Sequence, residues 1–332
     1  MGATASTIRD VASRAGVSIA TVSRALRDPR IVSPETQDKV VRAAAELDYV
    51  PSQLGRQLAE RRHAANGIVF PDLSGPYFAE VVLGYEATAA ELGRSVLILS
   101  THGREGAPAK VQDLAGRSDG LVVLGRTVSD EVLHALSRRG VPLVLLARTP
   151  LEDVDSVNAE NRNTAQALAG HLAEAGARTV AFVGDPGLSP DVVERLEGLR
   201  EGADAHGIEV RLQPARDLDE QTGLQVAAQV LATGDLPDAF ACANDELALG
   251  LMTGLRQVGV RVPDDVLVTG WDDVMAARYA GLTTVRQPMR ELGATAARLL
   301  DELIRGNRDT PRHEVLATEL IVRSSSTTPK GQ

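Results

Sequence analysis

The chain has 332 residues, 43% of them hydrophobic, with a net charge of −10 and one cysteine, Cys242. That length suggests two or three domains with a sizeable buried core. One thiol allows no internal disulfide and supplies no metal cluster, and no apolar run approaches the ~18 residues of a membrane span. With no basic start followed by an apolar leader, the expectation is a cytoplasmic globular protein without a membrane partner.

The first periodic stretch runs from Thr7 to Leu26 and reads as two short helices joined by a tight turn. Thr7 can cap the first helix while Asp10, three residues on, reaches back, and Val11, Ala12 and Ala15 form one apolar face. Gly16 ends that helix. Ser18 can cap a second helix in which Val22, Ala25 and Leu26 point inward, leaving Ile19, Ala20, Ser23, Arg24 and Arg27 on the opposite face. Hydroxyls at Thr7, Ser18, Thr21 and Ser23 suit phosphates, short side chains allow close approach, and Arg24 can grip guanine bidentately. These features imply a helix-turn-helix with Ile19–Leu26 as the recognition helix. The competing interpretation is an ordinary helical hairpin with a solvated outer face. Ser33-Pro34-Glu35 opens a third helix through Val40, Val41, Ala44 and Leu47, which closes a small core, and Tyr49-Val50-Pro51 stops it.

Charge is unevenly placed. Residues 1–63 carry ten Lys and Arg against seven Asp and Glu, whereas the remainder carries 25 against 38, a net of −13. Affinity for DNA rests largely on cations meeting phosphates, so the basic end suits the duplex and the acidic body is repelled by it.

From Asn66 onward, short apolar runs alternate with helical stretches. Strands are expected at Gly67–Phe70, Val96–Leu99, Leu121–Leu124, Leu143–Leu146, Val180–Val183, Glu209–Leu212, Phe240–Ala243 and Val266–Thr269, with helices near 77–92, 107–116, 130–139, 162–175, 190–205, 221–233 and 245–258. Continuous Val and Leu runs suit strands buried on both faces of parallel sheets. The fold class is therefore α/β: a helix-turn-helix headpiece followed by two doubly wound parallel-sheet subdomains, with ligands expected at the carboxyl ends of the strands. The late helix 291–305 and the final run Val315–Val322 have to join one or both sheets.

The motifs Asp10-Val11-Ala12, Ala15-Gly16-Val17-Ser18, Thr21-Val22-Ser23-Arg24, Leu47-x-Tyr49-x-Pro51 and Arg56-Gln57-Leu58-Ala59 resemble, in register, the DNA-binding headpiece of the lactose-repressor (LacI/GalR) family. Later motifs are similar to the family's effector-binding core: Pro76-Tyr77-Phe78, Arg195-Leu196-x-Gly198, Asn244-Asp245, Gly270-Trp271-Asp272-Asp273 and Gln287-Pro288. The resemblance covers about the whole chain. It implies a headpiece at 1–51, a hinge at 52–63 that folds on the operator with Arg56 and Leu58 as DNA contacts, and a two-lobed periplasmic-binding-protein-like core at 64–332. Within that core, the N-lobe is expected at about 64–160 and 289–312 and the C-lobe at about 161–288 and 313–326. Leu58 would be an apolar wedge in the minor groove, which unstacks a base step and bends the duplex. A plain linker is the alternative for 52–63, and Gly55 lowers its helicity by ~1 kcal/mol.

Side chains that follow strands face such a cleft. Carboxylates and amides at Asn244 and Asp272, with Arg195, can exchange hydrogen bonds with vicinal hydroxyls, and Tyr77, Phe78 and Trp271 can offer apolar faces to a ring. Asn244 and Asp245 could instead cap the following helix, Asp273 its own helix, and Trp271 could be core. Ala147 and Leu218 stand where relatives of this type often carry an acid and an aromatic, so the pocket is not a copy of the lactose or purine pockets. No phosphate loop, dinucleotide fingerprint or nucleophile elbow is present, and the six His lack i, i+4 pairing, so no catalytic centre, metal or cofactor is expected. The expected function is a ligand-controlled transcriptional regulator, a repressor of a pseudo-palindromic operator responding to a mono- or oligosaccharide. The alternative is a carbohydrate-binding or carbohydrate-modifying α/β protein without DNA binding. The chain ends soon after the last expected strand with no heptad tail, so a homodimer rather than a tetramer is expected.

Overall fold

The computed structural model describes residues 6–27, 31–49, 63–101, 105–307 and 310–327. The chain divides into two compact units, residues 1–63 and 64–332. The hinge expectations at Gly55, Arg56 and Leu58 lie outside the described residues.

Among its described residues, the first unit holds three helices, α1 (Ile8–Ala15), α2 (Ile19–Arg27) and α3 (Pro34–Glu46). Val11, Val22, Ala25, Val40 and Ala43 bury their side chains together. Val41 is 48% exposed, contrary to the expectation, because the inward stripe of α3 runs through 40, 43 and 44, and 41 lies about 100° away from 40.

The second unit opens with β1 (Ala65–Phe70), α4 (Pro76–Glu91), β2 (Ser95–Ser100), α5 (Ala107–Ala115), β3 (Leu121–Leu124), α6 (Asp130–Arg138), β4 (Leu143–Leu146) and β5 (Asp155–Ala159). Then come α7 (Arg162–Glu174), β6 (Thr179–Val183), α8 (Pro190–His206), β7 (Glu209–Gln213), α9 (Glu220–Thr233), β8 (Ala239–Cys242), α10 (Asp245–Gln257) and β9 (Leu267–Thr269). The chain closes with α11 (Met275–Ala280), β10 (Thr284–Arg286), α12 (Met289–Arg305), β11 (His313–Leu316) and β12 (Glu319–Ile321).

Two all-parallel sheets result, ordered β2-β1-β3-β4-β5-β11 and β7-β6-β8-β9, beside an antiparallel β10-β12 pair. In the first sheet the alternation of side chains is visible in the core. Ile68, Phe70, Val122 and Leu124 pack on one face with Val81 and Leu292, whereas Val69, Leu121 and Val123 pack on the other with Val111 and Leu133. The first sheet is thus covered on both faces, as parallel sheets require. Gly84 and Gly293 let α4 and α12 touch: a Cβ at Gly84 would lie 1.9 Å from the Arg290 carbonyl oxygen, and one at Gly293 would lie 2.1 Å from that of Val81.

The final run does not form one strand. His313–Leu316 pairs with β5 in the first sheet, and Glu319–Ile321 pairs with β10 beside the second. The crossing between lobes therefore falls after Leu316 rather than at 312. Among the described residues no helix is long and apolar enough to cross a membrane.

Candidate functional site

In the first unit, Asp10 reaches back to cap α1: its carboxylate accepts the Thr7 N–H at 2.8 Å and the Thr7 hydroxyl at 2.7 Å. Those bonds hold the Asp10 carboxyl below the usual carboxylate range. Gly16, at φ 66°, turns the chain in the left-handed conformation that glycine adopts without penalty. Ser18 then starts α2, its Oγ accepting the Thr21 N–H at 3.1 Å. With Val22 and Ala25 fully buried, the other face of α2 presents Ile19, Ala20, Ser23 and Arg24 to solvent; Thr7 and Ser18 are exposed and Thr21 is half-buried. Ile19 is 45% exposed, an apolar side chain left on a face of small polar ones.

In the second unit, a cleft of about 670 Å³ opens between the two lobes. Its walls come from the segments after strand ends: Asp72 after β1, Arg126 after β3, Ala147 after β4, Asp191 after β6, Asp219 after β7, Glu246 after β8 and Asp272 after β9. A parallel sheet delivers side chains there because every strand points the same way.

Arg195, on the first half of α8, is almost fully buried. Its Nε donates to Asn161 Oδ1 at 2.8 Å and its Nη1 to the Ala243 carbonyl at 2.7 Å, while Nη2 stands 3.9 Å from Asp191. The guanidinium lies over the Trp271 ring, 4.7 Å from its centroid. Asp272 accepts the Gln287 side-chain amide at 2.5 Å and adopts φ 115°, a conformation that non-glycine residues hold only when their surroundings enforce it. Burial pushes its carboxyl up to about 6, against the pull of Arg195 and Gln287. Burial also raises Asp191, opposed by Arg195. Two buried polar atoms on the walls, Gln287 Oε1 and Tyr77 Oη, have no hydrogen-bond partner. Tyr77 packs edge-on against Phe78 at 5.4 Å, and Phe78 against Phe70 at 5.8 Å.

Of the cleft residues expected from sequence, Tyr77, Phe78, Arg195, Asn244 and Asp272 line the cavity. Trp271 does not. It is 2% exposed within the second lobe's core, while Asp272, at its positive φ, takes the cleft side. Asn244 sits on the wall with its amide committed: Oδ1 caps α10 through the Leu247 N–H at 3.0 Å, and Nδ2 donates to Leu218 and Glu246. Asp245 is not a cap but accepts the Val274 N–H at 2.8 Å and the Thr284 hydroxyl at 2.6 Å. Asp273 pairs with Arg286 and Arg323 rather than capping α11. Sequence reasoning missed Asp191, Asp219, Glu246 and Gln287 as wall residues. Asp191, one turn before Arg195, and Gln287, inside a quoted motif, carried a signal that could have found them.

Comparison with known proteins gives one picture. Residues 7–52 match bacterial regulatory proteins of the lacI family, and residues 169–326 match the periplasmic binding protein-like domain. The chain is 32% identical to the HTH-type transcriptional repressor PurR of Photobacterium profundum, over 96% of this chain and 98% of that one. Among solved structures, the lac repressor dimer bound to operator and the anti-inducer ONPF superposes with a TM-score of 0.88 at 29% identity, over 98% of this chain and 100% of that chain. The transcriptional regulator CelR in complex with cellobiose superposes with a TM-score of 0.72 at 32% identity, over 96% and 99%.

Proposed function

The chain belongs to the LacI family of bacterial regulatory proteins, and on that premise we propose how its parts divide the work of a cytoplasmic, sugar-responsive repressor. The observation that carries the DNA-binding assignment is α2: capped by Ser18, anchored by the buried Val22 and Ala25, and presenting Ile19, Ala20, Ser23 and Arg24 together. Such a helix fits the major groove, with Thr7, Ser18 and Thr21 contacting phosphates and Arg24 reading a base edge. Two copies in a homodimer reach successive grooves of a pseudo-palindromic operator, ~34 Å apart. Arg56 and Leu58, which lie outside the described residues, complete the contact at the centre of the site, where Leu58 opens a base step.

The cleft takes the effector. Arg195, Asp272 and Gln287, with acceptors at Asp191, bind the hydroxyls of a saccharide, and Tyr77 and Phe78 bound its apolar face. Trp271 supports Arg195 from behind, and Asn244 shapes the wall. The site is built for binding without turnover. Ligand binding changes the relation of the two lobes and thereby the affinity for operator, with coupling of about 1–3 kcal/mol.

The test is selection of duplexes from random-sequence DNA by the purified chain, followed by affinity measurement with and without candidate saccharides. A palindromic consensus whose binding responds to a sugar supports the account. Failure to enrich any sequence, together with turnover of a carbohydrate, would instead establish the alternative of a carbohydrate-modifying protein.

A further inference from the structure

Glu246 occupies an unusual place. It stands in the first turn of α10, in the second lobe, yet its Oε1 lies so close to Gly75 of the first lobe that a Cβ there would be 2.4 Å away. Gly75 is the N-terminal cap of α4 and offers that helix no side-chain bond. A helix start with free N–H groups and the positive end of the dipole is where a phosphate or carboxylate of a ligand would settle. Here the protein's own carboxylate already stands beside the cap residue.

The rest of the cleft does not restore a place for an anion. Six carboxyl side chains line it against two guanidinium groups. Arg195 has its Nε and Nη1 bound to Asn161 and Ala243, and Arg126, exposed at the rim, donates to the Gly187 carbonyl at 2.9 Å. Burial, aided by the neighbouring Asp272 and Asp219, pushes the Glu246 carboxyl up to about 7. Gln287 Oε1, buried and unpartnered, adds a further acceptor. Above pH 7, where the Asp272 and Glu246 carboxyls are ionised, the cleft therefore offers more acceptors than donors.

We propose that the cleft selects a donor-rich saccharide, neutral or bearing an amine, and that Glu246 is the residue that turns away phosphorylated and acidic sugars. The proposal rests on the reading of the cleft as a saccharide site. Like charges brought together in a partly dehydrated pocket repel strongly enough to separate a sugar from its phosphate ester by about a hundredfold or more.

Calorimetric titration of the full chain at pH 8, where the Glu246 carboxyl is ionised, with matched sets tests this: ribose and ribose 5-phosphate; glucose, glucosamine and glucose 6-phosphate; cellobiose and its 6′-phosphate. The expected result is that at least one neutral or amino member binds, that its phosphate binds about a hundredfold more weakly, and that Glu246→Gln narrows this gap to tenfold or less. Thermal unfolding confirms that the variant is folded. A phosphate that binds as well as its parent sugar, or a gap unchanged in Glu246→Gln, overturns the selectivity while leaving the saccharide site standing. Silence from every sugar overturns both, without touching the assignment of α2 to DNA.

Discussion

Arg195 stacks its guanidinium 4.7 Å over Trp271, so the single tryptophan of this chain acts on the cleft through an arginine rather than by touching its contents. A cation held over an indole face is stabilised and oriented at once. Because Trp271 is buried one residue from Asp272, its emission reports on the cleft without labels. A saccharide that binds is expected to change that emission saturably. Asp272→Ala is expected to abolish the change while leaving DNA binding at the wild-type level. A variant that keeps the full response would remove Asp272 from the binding site.

Binding is expected to depend on pH. The folded carboxyl of Asp272 sits at about 6 and that of Glu246 at about 7, both above exposed carboxyls, so the ligand-free fold holds protons that the unfolded chain has released. The stability this protonation contributes is full below the unfolded values and is lost as pH rises through 6 to 7. A sugar hydroxyl donates to the ionised form, so its binding expels protons and tightens as pH rises through the same window. Titrations in buffers of different ionisation heat measure the release. Proton uptake on binding would contradict the assignment.

On the DNA side, Arg24→Ala is expected to cost ~1–3 kcal/mol on a selected operator and to relax base preference at one position of each half-site. Saccharide binding should be unchanged. Uniform weakening on every sequence would make Arg24 a phosphate contact instead.

Packing gives a further prediction. A Cβ on Gly250 would lie 2.1 Å from the Glu220 carbonyl oxygen, so α9 and α10 meet only because this residue has no side chain. Gly250→Ala should lower unfolding stability by ~1–3 kcal/mol, read from the denaturation midpoint. An unchanged midpoint would mean that the helices separate freely.

How much of this was legible in the sequence varies with local chemistry. Leu121–Leu124 and Leu143–Leu146 declared themselves as buried parallel strands because nothing in them is polar. Asp155–Ala159 did not, because its buried Asp155 and Ser156 find partners that only the fold supplies: Asp155 accepts the Arg312 N–H, and Ser156 bonds His313, 157 residues away. The same limit applied to Val315–Val322, where one apolar run serves two sheets. In the cleft, Arg195 and Asp272 stood out by motif. Glu246 did not, since its neighbour across the lobes, Gly75, is distant in sequence. The backbone at Asp272, which decides that Trp271 turns inward, carries no sequence signature.

The central claim is that the cleft and α2 are thermodynamically coupled in one chain. Its most direct measurement is the affinity of the protein for a binding saccharide, taken once alone and once saturated with a selected operator duplex, alongside the converse pair. Linkage requires the two ratios to be equal, and the account predicts a common factor of roughly 5–150. Identical affinities with and without the duplex would contradict it.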